Sequence, residues 1–468
     1  MRGVAWWHVL TVLATASFCK GVGVRDQRLQ QASIECNSAQ YAFRVCKLRH
    51  VVLWKGKIWL PTTGKLHIPD VRLHDFFLHN SKNSQDVQLR DIAKLVAPAD
   101  LPVLNAANVS HHAHAALIWR LHVANWYHAW ADTAANTFIR LCTHFGYCEY
   151  GAKGFEDMLL VWLDPAPWQW VLPAVNEAMA CFGRTHVSLH DSLGDVAYVI
   201  DELLVGVGNE CRTSYCYDRQ EGMHAITPQH LEGWVRFARR CVGLPAEPPM
   251  RMAKPRVVFL NRAYQAGRSV LTMGEAYAHF HVLGGQDWGA SYELVYLEGA
   301  SLREQAALFN QADILVIPHG AAVADLTFLP HASVVVDVSG HEAHQSFNVD
   351  HLHLLKPFLN TMSLSIMLAS EAELEPITGK ILRLEDAFRD WPGEEKLAFL
   401  LSADCPYEHE FCRDVNIRSK LFNYPVPVSD IIGNVTKALH LWGKQRKQRK
   451  SASSPGLLSH SLLAAREV

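Results

Sequence analysis

Arg262 and Arg268 stand six residues apart, just after the apolar run Arg256-Val-Val-Phe-Leu260. Guanidinium forks match phosphate oxygens, so two of them on one loop edge would bind an anion, with salt bridges to Glu275 or Glu304 as the competing use. Farther on, Ile314-Leu-Val-Ile317 runs into Pro318-His319-Gly320-Ala321. The run suits a strand buried on both faces, and Gly320 lets the chain turn closely into a following helix. Such a turn puts backbone N–H groups and the positive end of a helix dipole at the carboxyl edge of a parallel sheet, where α/β proteins seat phosphates. A diphosphate fits on Gly320-Ala321, with a bond or a charge from His319; a bond from His319 to a neighbouring carbonyl is the plainer use of that side chain. Asp337, closing the next apolar run, serves either as a cap or as an acceptor for a ribose hydroxyl.

A second constellation lies upstream. His128 and Asp132 fall a helical turn apart if Trp126 to Phe138 is a helix, so both can face a cleft and either can act as a general base. The same stretch holds Trp126, Tyr127, Trp130 and Phe138, and among so many aromatics a histidine also reads as a satisfied core residue. No Asp-x-Asp triplet occurs in the chain. Charge growing on a departing diphosphate would therefore fall to Arg262, Arg268, His319 and the helix end, and neither a divalent metal nor a bound cofactor is expected. His111, His112, His114 and His122 lack a companion ligand spacing and read as a histidine-rich loop. Gly340-His341-Glu342-Ala343-His344 is one residue short of the zincin spacing, and Gly206-Val-Gly208 lacks the third glycine of a dinucleotide fingerprint. Protease, dehydrogenase, serine hydrolase and P-loop chemistries are set aside.

The elements that must position these residues alternate. Val51-Leu60, Met158-Asp164, Val196-Val205, Arg256-Leu260, Tyr292-Leu297, Asp313-Pro318 and Ser333-Val338 read as strands with helices between them, a pattern of parallel sheets in α/β layers. Ser301 and Glu304 have capping-box spacing at the start of one such helix. The proline-rich stretch 245–255 resists helix and sheet and marks a linker. It divides an N-terminal domain, residues 21–244, from a C-terminal domain, residues 256–443; the basic and serine-rich residues 444–468 read as a mobile tail.

With 468 residues, 49% hydrophobic and 19% charged, the chain can bury two cores. Its 44 Lys and Arg nearly balance 46 Asp and Glu, so no field favours a nucleic-acid partner. Residues 1–20 begin Met1-Arg2 and continue apolar from Val4 to Cys19, which reads as a signal peptide or a signal anchor and places the rest in a lumen, with membrane anchoring through the N-terminus if the segment is kept. Outside that leader ten cysteines remain. Cys36 with Cys46, Cys142 with Cys148, Cys211 with Cys216 and Cys405 with Cys412 could close short loops, leaving Cys181 and Cys241 for each other, though spacing alone does not decide the connectivity. Asn108-Val-Ser110 and Asn434-Val-Thr436 fit the N-glycosylation acceptor pattern.

In chain order, Ala124-Asn-Trp-Tyr-His128-Ala-Trp-Ala-Asp132, Asn261-Arg262 with Arg268, Glu304-Gln305, Ala312-Asp313, Pro318-His319-Gly320-Ala321, Phe328-Leu329-Pro330 and Val334-Val-Val-Asp337 resemble glycosyltransferase family 61. That family includes plant xylosyl- and arabinosyltransferases and animal O-linked and extended O-mannose N-acetylglucosaminyltransferases. The resemblance implies a GT-B-like pair of Rossmann-type domains around a cleft, a UDP-sugar donor, inversion at the anomeric carbon and an endoplasmic reticulum or Golgi setting, including a type II membrane protein. It also implies transfer of xylose, N-acetylglucosamine or arabinose to a glycan or glycoprotein hydroxyl. Arg262, Arg268, Glu304, His319, Gly320, Ala321 and Asp337 would hold the donor, with Asp132 or His128 as the base. Two positions depart from the pattern. The usual HGA-x-L-x-N becomes His319-Gly-Ala-Ala-Val-Ala-Asp325, and the usual glutamate after the last strand is Asp337, which leaves the donor sugar open. A non-catalytic luminal protein of the same fold, binding a glycan or a partner enzyme, is the alternative.

Overall fold

The computed structural model describes residues 30–37, 44–71, 73, 88–101, 106, 108–119, 126–152, 154–155, 157–163, 173–183, 185–189, 196–206, 228–250, 254–263, 269–284, 289–318, 320–339, 359–367, 373–376, 382–383, 422–423 and 426–452. The expected leader, Arg268, His319, His122 and the pairs Cys211 with Cys216 and Cys405 with Cys412 lie outside the described residues.

The first sheet is built from β1 (Ser33–Cys36), β2 (Cys46–Trp54), β3 (Lys57–Pro61), β4 (Ala93–Val96), β5 (Asn108–Ile118), β6 (Leu159–Trp162), β7 (Thr185–Ser188) and β8 (Val196–Val205). Its order is β4-β3-β2-β8-β5-β6-β7, with β1 beside β2. Strands β8, β5, β6 and β7 run parallel, whereas β2 is antiparallel to β1, β3 and β8. The sheet is therefore mixed, which departs from the expected parallel, Rossmann-type layer.

One cause is local. Lys55 and Gly56 both adopt positive φ, 47° and 71°, the conformation of a tight two-residue hairpin turn, and Trp54 pairs directly with Lys57. The expected single strand Val51-Leu60 is folded back on itself. A second correction concerns the histidines. His111, His112 and His114 belong to the central strand β5, whose first half is polar and whose last four residues are buried. His114 Nδ1 lies 2.6 Å from the Tyr147 hydroxyl, and His112 Nε2 lies 3.0 Å from Ser110 Oγ. Burial lowers the His114 pKa, opposed by the nearby Glu202 carboxylate. Among the described residues no cluster of His, Cys, Asp and Glu could hold a metal.

Four strands of the second sheet follow the expected ones closely, β9 (Arg256–Asn261), β10 (Ser291–Tyr296), β11 (Ile314–Pro318) and β12 (Val334–Ser339), and a fifth, β13 (Met362–Met367), was not expected. All its pairings are parallel, in the order β10-β9-β11-β12-β13. The principal helices are α1 (Ala135–Phe145), α2 (Pro173–Met179), α3 (Pro228–Cys241), α4 (Met273–His279), α5 (Leu302–Phe309) and α6 (Val428–Ala452). On one face, Val257, Phe259, Ile314, Val316, Val334 and Val336 pack against Met273 and Ala276 of α4 and Ile431, Val435 and Leu439 of α6. On the other face, Val258, Leu260, Leu315, Ile317 and Val335 pack against Leu302, Ala306 and Phe309 of α5. Burying each of these aliphatic side chains contributes about 1.5–3 kcal/mol before conformational entropy is subtracted. Helix α6 winds onward through the basic run to Ala452, so the expected tail begins as helix. A small antiparallel sheet joins Glu373–Pro376 to Leu382–Arg383 and Phe422–Asn423.

The apolar cluster on the α5 face also takes in Trp130, Phe138, Leu160, Trp234 and Phe237, so the two sheets share one continuous core. Arg239 of α3, fully buried, ties the layers together: its guanidinium donates to Pro245 O and Phe328 O at 2.9 Å and to Asn310 Oδ1 at 2.6 Å. Burial pulls its pKa down to about 10. Glu177 of α2 reaches across to accept the Leu302 N–H at 3.0 Å, capping α5 from the other half of the chain. Disulfides join Cys36 to Cys46, Cys142 to Cys148 and Cys181 to Cys241, three of the pairs expected from spacing. They fit an oxidising compartment such as the secretory lumen. No helix among the described residues is long and apolar enough to cross a membrane.

Candidate active site

Strand order in the second sheet singles out one place. β9 is the first strand of the sheet, and its neighbours β10 and β11 are entered from opposite faces, through α4 and α5. Connections that part in opposite directions leave a crevice beyond the carboxyl ends of the two strands, the usual ligand site of an open parallel sheet. The residues there are Asn261, the last of β9, with Arg262 after it, and Pro318, the last of β11, with Gly320 and Ala321 beyond it.

Asn261 is a clamp. Its side-chain nitrogen donates to Val270 O at 2.9 Å, and its side-chain oxygen accepts the Val270 N–H at 2.9 Å. The two ends of the segment holding Arg262 and Arg268 are thereby closed at their base. Beyond Arg262, the Ala263 N–H donates to Glu298 Oε1 at 2.7 Å.

The Arg262 guanidinium lies over the turn after β11: a Cβ built on Gly320 would come 2.5 Å from Arg262 Nη1. Gly320 has φ 166°, extended backbone that any residue adopts. Glycine is required here for room beside Arg262, not for an unusual torsion. The helix expected after the turn is present as a 3-10 helix, Ala321–Phe328, and Val323 N–H closes its first bond on Gly320 O at 3.1 Å. The Ala321 and Ala322 N–H groups precede that bond and stand at the carboxyl edge of the sheet, where a helix start favours an anion.

Asp337 is buried within β12, in register with Ile317 and on the same face as Val335. It lies one strand over from the turn. Glu304 is differently employed. It completes the capping box, accepting the Ser301 N–H at 2.8 Å and the Ser301 hydroxyl at 2.7 Å, and these bonds hold its carboxyl below the usual range. Arg262, Gly320, Ala321 and Asp337 are thus gathered at the carboxyl ends of adjacent strands, while the Glu304 carboxylate is spent on its own helix start.

The base candidates lie on a helix that begins at Trp126 and continues into α1. Residues His128–Ala134 are wound as π-helix, a form that recurs at functional sites. His128 and Asp132 both fall in it, four residues apart; their side chains lie outside the described residues. The start of this helix is bonded to the 3-10 segment. Trp126 Nε1 donates to Asp325 Oδ1 at 3.0 Å, Trp126 stacks on Trp130, and Trp130 packs against Phe328. Asp325 is fully buried, and burial pushes its carboxyl up to about 8 against the opposing effect of the indole bond. In the sequence Asp325 stands out only as a departure from a pattern, and nothing there signals its partner, 199 residues away. Asn261 was visible beside Arg262, yet its clamping role needs the loop geometry.

No curated protein matches the chain. Residues 126–336 match the family model Glycosyltransferase 61, a span that starts at Trp126, encloses both base candidates, Arg262 and the Gly320 turn, and stops one residue short of Asp337. Over this span the chain is similar to glycosyltransferase family 61 and carries that family's domain.

Proposed function

We propose that the chain is an inverting glycosyltransferase of the secretory pathway, moving xylose, N-acetylglucosamine or arabinose from a UDP-sugar to a glycan or protein hydroxyl. The observation that carries this reading is the meeting of Arg262 with the Gly320-Ala321 turn at the switch point of the parallel sheet. A guanidinium and helix-start N–H groups side by side suit a diphosphate. Arg268 and His319 add to the same anion site, and Asp337 takes a ribose hydroxyl. Asp132 or His128 accepts the proton of the attacking hydroxyl as the acceptor oxygen bonds to the anomeric carbon and the bond to the diphosphate breaks, UDP leaving on the opposite face. Charge on the departing UDP is met by the protein's own cations and dipoles, and no divalent metal is required.

The three disulfides suit a luminal setting, with residues 1–20 as signal or anchor. A panel of UDP-sugars, followed by UDP release and by thermal shift, tests the reading. At least one donor is expected to bind and turn over, with Arg262→Ala raising its KM. If no nucleotide sugar shifts the protein, a glycan- or partner-binding module replaces the enzyme. Full turnover by Asp132→Asn would assign the base to His128.

A further inference from the structure

Asp325 is a buried ionisable group that the proposed chemistry does not use. It has no exposed surface; Oδ1 accepts the Trp126 indole N–H at 3.0 Å, and Oδ2 meets no hydrogen-bond partner among the described residues. It sits four residues after Ala321 in the 3-10 helix that opens on the phosphate turn. Its partner Trp126 stands two residues before His128, at the head of the π-helical turn. The Trp126, Trp130 and Phe328 rings close the same junction from the side. One carboxyl therefore joins the segment that would hold the leaving group to the segment that would carry the base.

We propose that Asp325 is a positioning residue, setting the helix of His128 and Asp132 against the phosphate turn through Trp126, and that it does so as an un-ionised acid. This deepens the glycosyltransferase reading and rests on it. A bare carboxylate with one hydrogen bond in a closed apolar junction is disfavoured by the loss of water, whereas the neutral acid has the shape and polarity of asparagine. The burial-raised pKa of about 8 agrees with the geometry.

Charged groups on the surrounding elements have other duties. Arg239 of α3 bonds Phe328 O, Pro245 O and Asn310 Oδ1. Arg303 and Glu304 of α5 are exposed, and Asp337 lies in β12. His128 and Asp132 of the π-helical turn have side chains outside the described residues. An acid whose folded pKa lies above its unfolded one takes up a proton on folding. Its effect on stability is then absent below about pH 4 and grows more unfavourable as pH rises toward about 8, levelling off beyond.

The test compares wild type, Asp325→Asn, Asp325→Ala and Trp126→Phe in the full-length protein, by thermal unfolding from pH 5 to 9 and by kcat and KM with the best UDP-sugar. Asp325→Asn should flatten the fall of Tm with pH and remove an alkaline loss of kcat near pH 8. Asp325→Ala and Trp126→Phe should lower kcat by about tenfold or more, with donor KM within about twofold, since a displaced base slows chemistry without touching the phosphate contacts. A Tm profile for Asp325→Asn that follows wild type overturns the un-ionised acid. Asp325→Ala with wild-type kcat overturns the positioning role. The Tm series stands even if no UDP-sugar is turned over, so failure of the donor reading is distinguishable.

Discussion

Replacing Gly320 with alanine isolates the contact on which the proposed donor site depends. Because Gly320 is extended at φ 166°, alanine adopts its backbone without strain and also loses less freedom on folding, so Tm should hold or rise slightly. The added methyl would lie 2.5 Å from Arg262 Nη1, whereas unbonded atoms settle at roughly 3.5 Å or more. The flexible guanidinium must retreat by about 1 Å, enough to break a charge-assisted hydrogen bond to a phosphate oxygen. Such a bond is worth about 1.5–3 kcal/mol, equivalent to about 10- to 150-fold in donor affinity. Calorimetric titration with UDP, donor KM and thermal unfolding measure the three terms, with Arg262→Ala and the double variant completing a cycle. If alanine acts through Arg262, the double variant binds no more weakly than Arg262→Ala alone. Unchanged UDP affinity in Gly320→Ala, or losses that add in the double variant, would refute the reasoning.

Asn261→Ala leaves the buried Val270 N–H and C=O unpaired, so a loss of about 2–4 kcal/mol in chemical denaturation is expected, with a raised donor KM because the Arg262 segment is no longer closed at its base. Arg239→Ala strips three acceptors of their donor in the shared core and should cost about 3 kcal/mol or more; Arg239→Lys, unable to span all three, should recover part of that in the same unfolding assay. Removing the Cys181–Cys241 disulfide by serine substitution, with its separation of 60 residues, should cost about 4 kcal/mol in the chain-entropy picture, read as a fall in the denaturation midpoint under non-reducing conditions.

What could be read without coordinates was local. Ile314-Leu-Val-Ile317 and Val257-Val-Phe-Leu260 are apolar at every position because both faces of their sheet are covered, and a continuous apolar run is a signal in itself. The Ser301 and Glu304 cap spans a single helical turn, and the Cys36–Cys46 and Cys142–Cys148 loops are short. β5 escaped because His111 interrupts the alternation: Asn108, Ser110, His112 and His114 share one polar face, while Val109, His111 and Ala113 mix on the other, in a first half that is half-exposed. The hairpin at Lys55-Gly56 escaped because the flanking apolar residues mask a turn only two residues long. The mixed first sheet and the junction of Trp126 with Asp325 are pairings between distant segments, which periodicity does not encode. At the site, the glycine and the arginines were legible as types; that Gly320 makes room for Arg262 required both loops in place.

The proposed UDP-sugar site lies where Arg262 meets the Gly320 turn. Its most direct test is equilibrium binding of UDP and a panel of UDP-sugars to wild type and Arg262→Ala, in a chelator and again with manganese. Binding in the chelator, weakened at least tenfold by Arg262→Ala and unchanged by manganese, is the predicted result. Binding that needs manganese, or that is indifferent to Arg262, would contradict it.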